Sequence, residues 1–102
     1  MTKHTVFSQA TGESWQDIWE MIESDPAEAM NLRMRDSLMN AIEARVKDWG
    51  LTQKEAAKRL GITQPRLNLL LKGKINEFSL DALIALLKPA GLEIAFSVKR
   101  AA

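Results

Sequence analysis

Apolar residues recur at helical spacing along most of the chain and alternate only near its end. Trp15, Ile18, Trp19 and Ile22 fall at i, i+3, i+4 and i+7, which predicts a short amphipathic helix over 14–23. Met30, Met34, Leu38, Ile42, Val46 and Trp49, with Met39 beside them, mark a stripe on a second helix. That helix is either one long element or two that break near Asn31. Ala56, Ala57 and Leu60, then Leu67, Leu70 and Leu71, then Leu80, Leu83, Ile84, Leu86 and Leu87 give three further inward faces. From Leu92 the period changes: Leu92, Ile94, Phe96 and Val98 alternate with Glu93, Ala95, Ser97 and Lys99, the pattern of a strand with one apolar face.

Punctuation agrees with these periods. Ser14 with Asp17, Asp25 with Pro26 and Glu28, and Thr52 with Glu55 read as helix starts, since a side-chain oxygen at the N-cap satisfies the first free N–H groups. Thr63 and Ser79 cap the next two helices. Gly50, Gly61, Gly73 and Gly91 stand where helices stop, and Pro89 helps end the last. Residues 1–13 show no periodicity and read as flexible. The expected organisation is an acidic, aromatic arm (1–24) followed by an all-α domain (25–102) with one C-terminal strand over 92–98. No second strand is evident to satisfy that strand's backbone, so either a second copy of the chain pairs with it antiparallel across a two-fold axis, or it is an extended tail.

Charge sharpens the division. The 102 residues carry 14 Lys and Arg against 13 Asp and Glu, but the signs are segregated. Residues 1–30 hold one base and six acids, a net −5, whereas residues 45–74 hold eight bases and two acids, a net +6. A basic body with an acidic appendage suggests two partners of opposite charge, one of them nucleic acid. The chain has no Cys, so a disulfide framework, a thiolate zinc site and a cysteine nucleophile are excluded. Neither a secretory signal nor a membrane-length apolar run is present, and a cytoplasmic setting is expected. His4 stands alone and no metal or cofactor site is indicated. Glu20, Glu23 and Glu28 have no nucleophile or pocket signal beside them, so an enzyme is not expected.

The most constrained stretch is LTQKEAAKRLGITQPRLNLLLKGKINEFS, residues 51–79. Two short helices joined at Gly61 match a helix-turn-helix. Counting from Gln53, Ala57 falls fifth, where crossing helices admit only a small side chain. Gly61 falls ninth in the turn, Ile62 plugs the core at the tenth position, and Leu67 and Leu70 anchor the second helix.

Residues 51–75 resemble the helix-turn-helix of the lambda-repressor-like, or XRE, superfamily. Taken with VFSQATGESWQDIWEMIESDPAEAMNLRMRDSLM before it and GLEIAFSV after it, nearly the whole chain resembles the XRE-type group of HigA-like antitoxins. That resemblance implies a transcriptional repressor of its own operon that binds and silences a small RelE-like ribonuclease toxin; a solitary regulator of the same fold is the alternative.

The residues allow a mechanism to be laid beside the resemblance. The second motif helix would enter the major groove N-terminus first. Gln64 suits adenine, Arg66 suits guanine or a phosphate, and Asn68 can act as Gln64 does. Pro65 can touch a thymine methyl. Leu69 can do the same or meet a dimer partner. Thr52, Gln53 and Lys54 at one helix start, Thr63 at the other, and Lys72 and Lys74 around Gly73 are candidates for phosphate. A homodimer would read a palindromic operator in double-stranded DNA. Val6, Phe7, Trp15, Ile18, Trp19 and Ile22 form the candidate surface for a small basic toxin, or else fold back on their own domain. An acidic polar face argues against a membrane surface.

Overall fold

The computed structural model describes residues 25–101. The arm, with Val6, Phe7, Trp15, Ile18, Trp19 and Ile22, lies outside the described residues. Four α-helices and one 3-10 turn make up the described domain. α1 runs Pro26–Trp49, α2 Gln53–Leu60, α3 Gln64–Leu71 and α4 Leu80–Ala90, with the 3-10 turn Ile75–Glu77 between α3 and α4.

α1 is continuous through Asn31 for 24 residues. Asp25 caps it, accepting from the backbone N–H groups of Ala27 and Glu28 at 3.1 and 3.2 Å, and Pro26 supplies the fixed φ of a first helical residue. The buried face of α1 is Ala29, Leu32, Arg35, Asp36, Met39, Ile42 and Val46, which differs from the expected stripe at its N-terminal end. Met30 and Met34 are exposed and Leu38 is half-buried. The reason is geometric. A run of i+4 steps advances about 40° per step on a helix of 3.6 residues per turn, so a ladder that faces the core at Ile42 and Val46 has swung well around the helix at Met30.

α2, α3 and α4 all end by the same device. The N–H of the residue after the terminal glycine bonds to a carbonyl earlier in the helix: Ile62 to Ala57, Lys74 to Leu69 and Leu92 to Leu87, at 3.0, 3.1 and 2.9 Å. Each needs the left-handed backbone that glycine adopts without strain, φ 77° at Gly61 and 71° at Gly73. At Gly61 this turn sets the angle between α2 and α3, and Ile62 is drawn against the core behind it.

The core joins all the elements. Leu32 and Ile42 from α1, Ala56, Ala57 and Leu60 from α2, Leu67 and Leu70 from α3, Ile75 and Phe78 from the connection, and Leu83, Leu86, Leu87 and Ala90 from α4 form one cluster. α1 packs chiefly on α4, and α2 on α3 and α4. Two arginines of α1 tie down backbone that the core alone would leave loose. Arg35 is buried, and its Nη1 donates to the carbonyls of Ile75 and Phe78 at 3.1 and 3.4 Å. Arg45 Nε donates to the Ala90 carbonyl at 3.0 Å, satisfying the C-terminal end of α4.

The C-terminal segment departs from expectation. Leu92, Ile94, Phe96 and Val98 alternate as a strand would, yet no strand forms among the described residues. Leu92 gives its N–H to the end of α4 and packs half-buried on the core, while Phe96 and Val98 are 83% and 87% exposed. A strand exists only through hydrogen bonds to another strand, and within residues 25–101 none is available.

Candidate nucleic-acid interface

Residues of two helices meet on one exposed surface. Gln53 from the first turn of α2 and Gln64, Pro65 and Asn68 from α3 line a single open depression. On α3, Leu67 and Leu70 are buried, which turns Gln64, Pro65 and Asn68 outward, since residues four apart share a face. Proline at the second helical position costs nothing there, because its missing N–H lies among those with no partner inside the helix.

The starts of the two helices differ in what they can offer an anion. At α2 the capping box is complete. Thr52 Oγ1 accepts from the Glu55 N–H at 3.2 Å, and the Thr52 N–H and hydroxyl both donate to Glu55 Oε1, at 3.0 and 3.1 Å. These bonds hold the exposed Glu55 carboxyl below its usual pKa, so it stays charged. Thr52 is therefore committed to its own helix, with the Glu55 carboxylate beside it. Gln53 and Lys54 remain exposed beside it. At α3, Thr63 Oγ1 accepts from the Arg66 N–H at 3.2 Å. No acidic residue lies in that first turn, which leaves the positive end of α3 uncompensated.

Arg66 stands apart from the other expected base readers. Its guanidinium lies 4.3 Å from the centre of the Phe78 ring, in a second depression lined by Leu60, Gly61, Ile62, Ala82, Ala85 and Leu86. On a helical wheel Arg66 falls about 160° from Asn68, toward α4. Leu69 is half-buried against the core and so is less available than expected. Lys72 is exposed at the end of α3, and Lys74 is half-buried just after it. Phe78 and Arg35 were not apparent as contributors from the sequence. Phe78 floors the Arg66 side chain, and Arg35 fixes the loop that carries Phe78. Arg59 rests in the same manner on Trp49, 4.3 Å from the ring centre.

The electrostatics suit a polyanion. The exposed start of α3, Lys54, Lys58 and Arg59 on α2, and Lys72 and Lys74 beyond α3 all belong to the window of net charge +6. A cluster of His, Asp or Glu able to hold a metal is absent among the described residues. None of the described helices is long and apolar enough to cross a membrane.

Two helices set by a glycine turn, the second with an outward polar start, define a helix-turn-helix fold of the DNA-binding kind. The family model for a helix-turn-helix domain matches residues 20–99, and the chain belongs to that family. No curated protein and no solved structure gives a significant match.

Proposed function

We propose that the chain is a sequence-specific transcriptional repressor that binds a palindromic operator as a homodimer. The observation that carries this reading is the convergence of Gln53, Gln64, Pro65 and Asn68 on one exposed surface at the starts of α2 and α3. In the major groove Gln64 and Asn68 would each present a paired donor and acceptor to adenine, and Pro65 would meet a thymine methyl. Lys54, Thr63, Lys72 and Lys74 would hold phosphates on either side. Arg66 would reach a base or phosphate only by leaving Phe78, so it is a secondary contact. For half-sites one turn of duplex apart, pairing of the 92–98 segments across a two-fold axis would have to set the two copies of α3 about 34 Å apart.

The finer reading is that this repressor is the antitoxin of a two-gene pair and autoregulates its operon. It is supported by the resemblance to HigA-like proteins and by the acidic, Trp-bearing segment 6–23, whose charge and aromatic anchors suit a small basic ribonuclease.

The test is binding to the duplex upstream of the chain's own gene, followed by fluorescence anisotropy over a salt series. Affinity should fall steeply as salt rises, because bound lysines and arginines displace counterions. Gln64→Ala should weaken specific binding by about 1–3 kcal/mol and relax preference at one position. An unchanged affinity for the double variant Gln64→Ala, Asn68→Ala would overturn the interface. Capture of a small basic partner by the full chain, lost on deleting residues 1–23, tests the antitoxin reading separately.

A further inference from the structure

Among the described residues nothing covers the apolar outer face of α1 at its N-terminal end. Met30 and Met34 are 60% and 39% exposed. Met34 and Leu38, with Ile94 of the C-terminal segment, form the mostly apolar wall of an open depression of about 300 Å³ rimmed by Arg33 and Ser37. We propose that residues 14–23 dock on this face as a helix lying antiparallel to α1, closing an intramolecular helical hairpin.

The connection allows it. α1 starts at Pro26 with Asp25 in extended backbone, and a helix over 14–23 would leave two residues, 24 and 25, as the connection, within the 2–5 residues usual for such hairpins. The register follows from the turn. Residues equidistant from its centre lie side by side, which sets Trp19 beside Met30 and Trp15 beside Met34. Ten helical residues are about 15 Å long, enough to cover α1 from Pro26 to about Asp36. The exposed methionines thereby receive the two large rings, in contacts that sulfur and aromatic groups favour. Charge is complementary as well, since Arg33 on the rim pairs with position 16 in this register, one residue from Asp17. The tryptophans are also the anchors offered to a partner in the antitoxin reading, so a partner would have to displace the docked helix. The docking itself does not depend on that reading.

The chain has no Cys, so Gln16→Cys in the full-length protein takes a single nitroxide label on the arm's polar side. Amide signals of residues 30–38 should be lost with the label oxidised and recovered on its reduction, while those of α2 are unaffected. Adding Met30→Asp and Met34→Asp, both at exposed positions, should abolish the loss while leaving the dispersion of the remaining amide signals intact. Undiminished signals at 30–38 would overturn the proposal. So would an equal loss in a mixture of labelled unenriched chain with unlabelled, isotope-enriched chain, because the arm would then be docking on a second copy.

Discussion

The guanidinium of Arg66 lies over the Phe78 ring, 4.3 Å from its centre, although Arg66 sits in the first turn of the helix that presents Gln64 and Asn68. A stacked arginine of this kind contributes about 0.5–1 kcal/mol where solvent still reaches it. Lysine does not reproduce the planar stack. Arg66→Lys and Arg66→Ala should therefore lower the thermal midpoint by similar amounts of a few degrees, whereas Gln64→Ala should leave it unchanged. Operator affinity should show the opposite order, with Gln64→Ala the more damaging. Equal melting curves for Arg66→Ala and the parent protein would remove the stacking role.

Arg35 is the larger structural commitment. It holds the carbonyls of Ile75 and Phe78 from within the core and bonds Asn31 Oδ1 through Nε at 2.7 Å. Hydrogen bonds to a charged donor contribute about 1.5–3 kcal/mol, and two buried carbonyls would be orphaned without it. Arg35→Met should destabilise the domain by about 2–4 kcal/mol, measured by denaturant unfolding. Because this loop carries Phe78, the Arg66 contact should loosen with it.

Burial of Asp36, where α1 meets the end of α3 and Ile75, predicts a pH dependence. Desolvation raises its pKa from 3.8 to about 6, so the folded state binds its proton more tightly than the unfolded chain does. Stability from this group is complete below about pH 4 and is lost as pH rises through about 6. Asp36→Asn should flatten the stability profile between these values. At pH 7 it should raise stability by about 1–2 kcal/mol, since the variant has no buried charge to desolvate. Urea unfolding of both proteins at about pH 4, 5, 6 and 7 reads this directly, and parallel profiles would exclude it.

Two glycines separate backbone strain from crowding. An added Cβ at Gly61 meets nothing within 4 Å, whereas at Gly91 it comes 3.2 Å from an Arg45 terminal nitrogen. Gly61→Ala should cost about 1–2 kcal/mol through its left-handed backbone alone. Gly91→Ala should cost the same plus whatever is lost as Arg45 shifts from the Ala90 carbonyl. In the double variant Gly91→Ala, Arg45→Ala the excess should disappear, which a double-mutant cycle measures.

Helix starts and stops are legible in the sequence because they depend on neighbours in the chain. Thr52 with Glu55, Thr63, Ser79 and the glycines at 50, 61 and 91 act through bonds spanning a few residues, and each stands where the local pattern places it. The inward faces of α2 and α3 are legible for a similar reason: a short helix has too few turns for a misjudged stripe to drift. α1 is three times longer, and its i+4 ladder winds away from the core at Met30 and Met34.

What the sequence determined by itself was local: the helices, their caps, the glycine turn between α2 and α3, and the segregation of charge. The tertiary structure alone decided which side chains share a surface. It brought Gln53 to Gln64, Pro65 and Asn68, drew Arg66 away to Phe78, buried Arg35 and Asp36, and formed no strand from Leu92, Ile94, Phe96 and Val98 among the described residues. Those outcomes depend on residues tens of positions apart meeting in space. Periodicity within one element carries no information about them.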